Sequence, residues 1–198
     1  MTAGCAHAIL MAMSLAHTPQ RISFEDFLAW SARQEHGRYE FIDGEVVPMP
    51  SEGGLHNLVK LAVAIALQNA VKAAGFQGTV FTDGMSVNVQ GRNWREPDAV
   101  VTATPVADKA AMYLVDPLIV VEVVSQSSQR DDTSDKIDEY FSVPTIRHYL
   151  IVRPEKKLVI HMRRDDGGGL VTTLVTGSTL TLDPPGLALD LTPVFEVC

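Results

Sequence analysis

One acidic residue, Glu122, interrupts an otherwise aliphatic run from Leu118 to Val124. An aliphatic run without polar alternation is typical of a central strand covered on both faces, so the sequence predicts that this carboxylate is buried. Burial of a carboxylate is costly unless a cation or several hydrogen-bond donors meet it. Glu122 therefore indicates either a buried ion pair with an arginine or lysine, or a metal ligand or catalytic acid.

A second carboxylate, Asp98, follows Pro97 and opens a predicted strand over residues 99–102. An aspartate in this place is commonly a turn or cap residue. Two carboxylates on neighbouring strands can, however, share a hard divalent cation such as Mg²⁺, which takes oxygen ligands and retains water for chemistry. In that case we expect the carboxylate oxygens of Asp98 and Glu122 within roughly 6 Å of each other, at the same end of adjacent strands.

Lys136 supplies a cation on a predicted short helix over residues 135–141, with Ser134 as its N-cap. A lysine near a metal-held water can orient that water or offset charge in a phosphoryl-transfer transition state. The alternative is a solvated lysine that pairs along its own helix with Asp132 or Glu139, which contributes only ~0.3 to 0.5 kcal/mol. The position of Lys136 in the sequence leaves both interpretations open.

Glu40 and His56 are weaker candidates for the same site. Glu40 lies in a predicted β-hairpin whose turn is Asp43-Gly44, where it faces Val47 and leans inward. An ordinary glutamate at the edge of a hairpin fits this pattern equally well. His56 opens a long predicted helix, where it could contact phosphate or satisfy a loop carbonyl.

The elements that must position these residues follow from periodicity and turn residues. A helix is predicted from Ser23 to near Glu35, and the longest helix runs from Leu55 to Ala74. The apolar series of this longest helix is Leu58, Leu61, Ala62, Ile65, Ala66 and Asn69. Strands are predicted over residues 39–42, 45–47, 79–82, 85–89, 99–102, 118–124, 148–152, 158–163, 170–176 and 179–182, with 90–96 as a polar spacer. This order predicts an α/β fold, a mixed β-sheet flanked by helices, with an N-terminal helix and β-hairpin.

Composition and charge restrict the class of function. Sixteen Lys and Arg against 24 Asp and Glu give a net charge of −8, which excludes a diffuse basic field that gathers nucleic acid. A polyanionic partner would have to meet a bound cation or a local basic patch, such as Arg92 with Arg95. Two cysteines, Cys5 and Cys198, predict neither a disulfide scaffold nor a four-ligand zinc site, and they favour a cytoplasmic protein.

A length of 198 residues predicts one domain, which we place at residues 21–198. Residues 1–20 are expected to form a loosely held arm. Their apolar part, from Ala6 to Ala16, lacks a basic start and is far shorter than the ~20 residues that span a bilayer. No association with a membrane is therefore expected.

One ordered series of motifs covers most of the chain. The series is Tyr39-Glu40-Phe41-Ile42-Asp43-Gly44-Glu45, His56, Pro97-Asp98-Ala99-Val100-Val101, Val120-Val121-Glu122-Val123-Val124-Ser125, Lys136 and Tyr140. It resembles the Uma-type putative restriction endonuclease family, which belongs to the PD-(D/E)XK nuclease superfamily. The resemblance implies a restriction-endonuclease-like fold and an endonuclease that hydrolyses phosphodiester bonds with Mg²⁺, or Mn²⁺, more readily in DNA than in RNA.

The resemblance also implies a set of site residues. Asp98 and Glu122 would bind the metal ion, Glu40 would belong to the same site, and the carbonyl of Val123 would add a ligand. Lys136 would act on the attacking water. A homodimer would suit an enzyme that cuts both strands.

The chain departs from the superfamily pattern at one chemically important position. The superfamily lysine usually lies two residues after the glutamate, where this chain has Val124. The resemblance implies that Lys136 has taken over the role; otherwise the chain is a catalytically degenerate nuclease fold that binds protein or nucleic acid. A metal-dependent hydrolase of small phosphate esters is a third alternative. Gln126 and Arg153 are smaller departures, where the family commonly has proline and an acidic residue.

Overall fold

The computed structural model describes residues 21–124 and 133–197. Over these ranges the helices are α1 Phe24–Ser31, α2 Gly54–Ala73, α3 Thr133–Ser142 and α4 Thr192–Glu196. The strands are β1 Tyr39–Ile42, β2 Glu45–Pro48, β3 Val80–Phe81, β4 Ser86–Val89, β5 Asn93–Arg95, β6 Ala99–Thr102, β7 Tyr113–Leu114, β8 Pro117–Val123, β9 His148–Arg153, β10 Leu158–Arg164, β11 Leu170–Val175, β12 Thr179–Leu182 and β13 Leu187–Asp190. The expectations for residues 1–20, Gln126, Asp132, Cys198 and the side chain of Ser134 lie outside the described part of the chain.

Six strands form the central sheet, in the order β11-β10-β9-β8-β6-β3. β8 and β9 run parallel, and the other neighbouring pairs run antiparallel. Two parallel strands need a crossover connection, and the chain between β8 and β9 contains α3. β8 lies between β6 and β9, which confirms the central strand predicted from its aliphatic sequence.

Helices cover both faces of the central sheet. On one face, Leu67 of α2 belongs to the same buried core as Val121 of β8. On the other face, Tyr140 of α3 belongs to a second core with Val120, and its ring lies 5.0 Å from that of Tyr149. A mixed sheet between helices confirms the predicted α/β class.

A second sheet holds five strands in the order β2-β1-β5-β4-β7. Its β1–β2 hairpin has the predicted register, with Glu40 opposite Val47. Asp43 and Gly44 have φ values of 48° and 88°, as a two-residue hairpin turn requires. The prediction that residues 90–96 form only a polar spacer is wrong, because this stretch contains β5.

α1 packs against this second sheet and explains the burial of β5. The hydroxyl of Ser23 accepts a hydrogen bond from the N–H of Asp26 as the N-cap, which confirms the predicted start of the helix, but the helix ends at Ser31 rather than near Glu35. Phe24 places its ring 4.5 Å from that of Trp94. The aromatic contact buries the central residue of β5, which its polar neighbours had obscured in the sequence.

The side of α2 that packs against the core is not the side that carries Leu58 and Leu61. Leu58, Leu61 and Ile65 are 56%, 54% and 48% exposed, whereas Val59 and Val63 are buried against the sheet. The buried residues also recur at a helical period. Because both sides of the helix are apolar, periodicity could not choose between them.

The C-terminal part of the chain completes the core beneath α2. β12 pairs with β13, and neither β13 nor α4 was predicted. Leu187, Leu189 and Val194 are buried in the same core as α2. Among the described residues, none of the helices has the length and apolar character needed to cross a bilayer.

Candidate active site

Asp98 and Glu122 lie at the same end of two adjacent antiparallel strands. Ala99 of β6 pairs with Val121 of β8, so Asp98 and Glu122 take the next position along this ladder. The backbone N–H of Val123 donates a hydrogen bond to Oδ2 of Asp98 at 2.6 Å. Both carboxylates line one cleft of ≈ 760 Å³. Two carboxylates arranged in this way can approach a single cation.

The carboxylate of Glu122 is buried, and two donors meet its Oε1 atom. Nζ of Lys136 lies 3.1 Å away, and the hydroxyl of Tyr140 donates at 2.7 Å. Burial raises the pKa of Glu122 to about 7; the charge of Lys136 opposes this rise, and the charge of Asp98 adds to it. A cation next to Glu122 would favour the charged form of the carboxylate.

Lys136 reaches Glu122 from α3. Lys136 and Tyr140 are one helical turn apart and therefore share a side of the helix. Glu139, one of the two helical partners considered for Lys136, pairs with Arg95, with 2.5 Å between the Arg95 Nε and Glu139 Oε2 atoms. The structure thus brings the lysine to the buried strand carboxylate.

Glu40 lines the same cleft and is buried, in agreement with the inward orientation predicted from the hairpin. Its two carboxylate oxygens accept different donors. Nη1 of Arg95 donates to Oε2 at 3.0 Å, and the backbone N–H of Glu96 donates to Oε1 at 3.1 Å. Glu40 is therefore brought to the site with its carboxylate already oriented.

Arg95 does not form an exposed basic patch with Arg92, so that prediction from the sequence is wrong; Arg95 instead lines the cleft from a buried position. Its side chain is only 4% exposed, because the carboxylates of Glu40 and Glu139 offset the cost of burying a guanidinium. Burial alone would lower the pKa of Arg95. The hydrogen bond to Glu139 and the charge of Glu40 outweigh that effect, so its pKa lies above the ordinary value.

His56 contacts Asp98 from the first turn of α2. Its Nε2 atom lies 3.3 Å from Oδ1 of Asp98 and 3.7 Å from Oε2 of Glu52. One ligand atom from each of these three residues lies within 4.8 Å of the others, a spacing that could hold a metal ion. The hydrogen bond with Asp98 raises the pKa of His56, although burial acts in the opposite direction.

Glu52 lines this part of the cleft and Lys60 is buried beside it; neither was identified in the sequence. Lys60 is buried, pairs with Glu52, and places its Nζ atom 2.8 Å from Oδ2 of Asp83 and 3.8 Å from Oδ1 of Asp98. The sequence did contain a signal for this cluster, because Glu52, His56 and Lys60 are spaced four residues apart. That spacing places polar groups along one side of a helix and its N-terminal approach.

Sequence comparison places most of the chain among known relatives. The model of the family Uma2, described as putative restriction endonuclease, matches residues 24–193. Uncharacterized protein slr1290 of Synechocystis is 26% identical over 188 residues, which cover 92% of this chain and 97% of that protein. Uncharacterized protein sll1609 of the same organism is 25% identical over 116 residues, covering 57% of this chain and 64% of that protein.

The fold is also found in a solved structure. A crystal structure described as a putative nuclease belonging to DUF820, from Anabaena variabilis, superposes with a TM-score of 0.67. The match covers 89% of this chain and 98% of that chain at 15% sequence identity. It confirms the predicted fold, a mixed α/β arrangement shared with a protein described as a nuclease.

Proposed function

The chain belongs to the Uma2 family of putative restriction endonucleases, and on that premise we propose that it is a metal-dependent endonuclease that hydrolyses phosphodiester bonds in DNA. The observation that carries this proposal is the contact between Lys136 and Glu122, at 3.1 Å, in a cleft that Asp98 also lines. The cation that the superfamily pattern requires is supplied here from α3, although Val124 occupies the usual lysine position.

The donor set suits a hard divalent cation. We propose that Asp98 and Glu122 hold Mg²⁺, or Mn²⁺, with Glu40 and the carbonyl of Val123 as further ligands. Carboxylate and carbonyl oxygens are the ligands that these ions prefer. The raised pKa of Glu122 supports the proposal, because a buried carboxylate with this pKa gains most from a nearby positive charge. When bound, such an ion supplies an activated water and neutralises charge on the phosphate.

The side chains around these ligands would each have a different role in the reaction. The ammonium of Lys136 orients the attacking water and offsets the negative charge that develops on the scissile phosphate. Tyr140 keeps Glu122 in place through its hydrogen bond. His56 lies in the first turn of α2, and its raised pKa favours the imidazolium form that would contact a substrate phosphate.

DNA, a homodimer and a cytoplasmic location complete the proposal. The net charge of −8 gives little general attraction to nucleic acid, so binding would depend on the cation and the charges within the cleft. Two copies of the chain would supply the two sites that cutting both strands needs. The degenerate-fold alternative keeps the same cleft without cleavage.

Nicking of a supercoiled plasmid in the presence of Mg²⁺ or Mn²⁺ tests the proposed function. We expect cleavage by the wild-type protein, loss of cleavage on chelation of the metal, and loss in Asp98→Asn. Glu45→Gln is a matched control, since Glu45 is a partly exposed carboxylate on the hairpin and pairs with Arg21 at 3.9 Å. Absence of metal-dependent nicking by the wild-type protein would leave the degenerate binding module as the better description.

A further inference from the structure

We propose that Arg95 is a positioning residue that holds α3 in the place where Lys136 meets Glu122. This inference rests on the proposed function, because it assigns to Arg95 a role in the reaction that Lys136 assists. Arg95 lies on β5, in the second sheet, whereas Glu122 lies on β8 of the central sheet. The arginine therefore ties the lysine helix to a part of the fold that does not carry Glu122.

Two hydrogen bonds attach the guanidinium of Arg95 to the carboxylate of Glu139. Nε of Arg95 donates to Oε2 of Glu139 at 2.5 Å, and Nη2 donates to Oε1 of the same carboxylate at 2.9 Å. Asn93, on the same strand, adds a hydrogen bond to Oε1 at 2.8 Å. A planar guanidinium that meets both oxygens of a carboxylate fixes direction as well as distance.

The geometry of α3 transmits this attachment to the site. Lys136, Glu139 and Tyr140 are spaced three and four residues apart, so they project from one side of the helix. Glu139 fixes the helix to β5, while Lys136 and Tyr140 reach Oε1 of Glu122. A shift of the helix along its axis would move the ammonium of Lys136 away from the carboxylate.

A separate attachment is needed because Glu122 is itself a proposed metal ligand. A cation on Glu122 weakens the attraction between its carboxylate and the ammonium of Lys136. The two hydrogen bonds between Arg95 and Glu139 do not use the carboxylate of Glu122, and a cation that also bound Glu40 would weaken a different contact, the one from Nη1 of Arg95. Arg95 can therefore hold α3 in the metal-bound state, when the contact between Lys136 and Glu122 is least able to do so.

Burial makes the role specific to arginine. The Arg95 side chain is 4% exposed, and its third nitrogen donates to Glu40, so one guanidinium joins β1, β5 and α3. A lysine would keep the charge but could not reproduce the paired hydrogen bonds to Glu139. Arg95→Lys is therefore the informative variant, and Glu139→Gln is a second one that removes charge from the partly exposed end of the pair.

Hydrogen exchange of the α3 amides tests the attachment without relying on activity. We expect Arg95→Lys and Glu139→Gln to speed exchange in residues 133–142 by about tenfold or more, with little change in the central sheet, since local opening depends on local contacts. Arg92→Lys is the matched control, because Arg92 is 74% exposed and its guanidinium pairs with Asp43 at the surface. Unchanged exchange in α3 for a folded variant of either type would overturn the proposal.

Single-turnover plasmid cleavage tests whether the attachment acts through Lys136. We expect Arg95→Lys to lower the rate about 10- to 100-fold, as small misplacements of a catalytic group do. In the Lys136→Ala background the same substitution should have little further effect, whereas a general loss of stability would lower both rates. Equal losses in both backgrounds would overturn the positioning role.

The two experiments separate this inference from the function on which it rests. A wild-type protein that does not cleave DNA contradicts the proposed function, and the exchange measurement still decides whether Arg95 holds α3. A wild-type protein that cleaves, with an Arg95→Lys variant that cleaves equally fast, leaves the proposed function standing and removes the positioning role.

Discussion

The ammonium of Lys136 lies 3.1 Å from Oε1 of Glu122, although the two residues belong to a helix and a strand joined by a crossover. The same oxygen accepts the hydroxyl of Tyr140 at 2.7 Å. A buried carboxylate with a lysine beside it can serve as a metal ligand in a phosphodiesterase centre.

Divalent cations should stabilise the wild-type protein and not Glu122→Gln. A ligand that binds only the folded state adds about 2.7 kcal/mol at roughly 100 times its Kd. We therefore expect Mg²⁺ or Mn²⁺ to raise the melting temperature of the wild-type protein and of Glu45→Gln, measured by scanning calorimetry. An equal rise in Glu122→Gln would show that Glu122 is not a ligand.

Glu40 rather than Glu52 should contribute to metal affinity. Isothermal titration with Mn²⁺ should show about a tenfold or greater loss of affinity in Glu40→Gln, comparable to the loss of a ligand or its immediate support. Glu52→Gln should bind within about twofold of the wild type, since the proposed ligand set of Asp98, Glu122 and Glu40 does not include Glu52, which pairs with Lys60 and Arg38. The reverse order would move the ion to Glu52, His56 and Asp98.

Removing the Tyr140 hydroxyl should destabilise the metal-free protein. Tyr140→Phe keeps the buried ring but takes one donor from the buried carboxylate of Glu122, which we expect to cost about 1 to 3 kcal/mol of unfolding free energy. Tyr113→Phe is the control, because Tyr113 is 41% exposed. Urea denaturation curves that coincide for wild type and Tyr140→Phe would contradict the importance of this hydrogen bond.

Acidification should destabilise the fold through His148 and His161. Nδ1 of His148 lies 2.9 Å from Nε2 of His161, and both side chains are buried. The pKa of His161 is lowered from 6.5 to about 4. Burial is the main cause, and the charge of His148 is the second cause. Because the unfolded chain binds the proton more readily, the unfolding free energy should fall as the pH is lowered from 6.5 towards 4, by up to about 3 kcal/mol for this group.

Denaturation at pH 7 and pH 5 measures this dependence. His161→Gln removes this titrating group and should therefore lose less stability between pH 7 and pH 5 than the wild type, whereas His36→Gln, at an exposed position, should follow the wild type. Glu122, whose raised pKa favours the folded state at low pH, contributes equally in all three proteins. The same loss of stability on acidification in His161→Gln and wild type would show that the histidine pair is not responsible.

The strand carboxylates could be predicted because their signal is local. Glu122 stands out in an aliphatic run, and Asp98 opens the strand that pairs with it. The place of Lys136 beside Glu122 depends on how α3 packs across the sheet, which its own sequence leaves open. The sequence offered Lys136 as a candidate, and the family resemblance, rather than periodicity, assigned it to the site.

Long-range burial explains what the sequence did not disclose. Arg95 and Lys60 look like ordinary surface cations until the fold brings Glu139, Glu40 and Asp83 to them. The side of α2 that faces the core was ambiguous for a related reason, because both sides are apolar. The partners of Arg95 and the part of the core that α2 contacts lie far away in the chain, where neither periodicity nor spacing can reveal them. For Lys60 the four-residue spacing from His56 and Glu52 was the signal in the sequence.

The rate of plasmid cleavage by Lys136→Ala, compared with wild type at saturating Mg²⁺ or Mn²⁺, tests the central claim most directly. A group that offsets charge in the transition state contributes to the chemical step, so we expect the rate to fall by about 100-fold or more. Lys136→Ala also removes a cation from the buried carboxylate of Glu122, so we expect its unfolding free energy to fall, and the rates are compared for folded protein. Lys72→Ala, at an exposed position of α2, should cleave normally. Cleavage by Lys136→Ala at the wild-type rate would contradict the assignment of the lysine, even with the metal site intact.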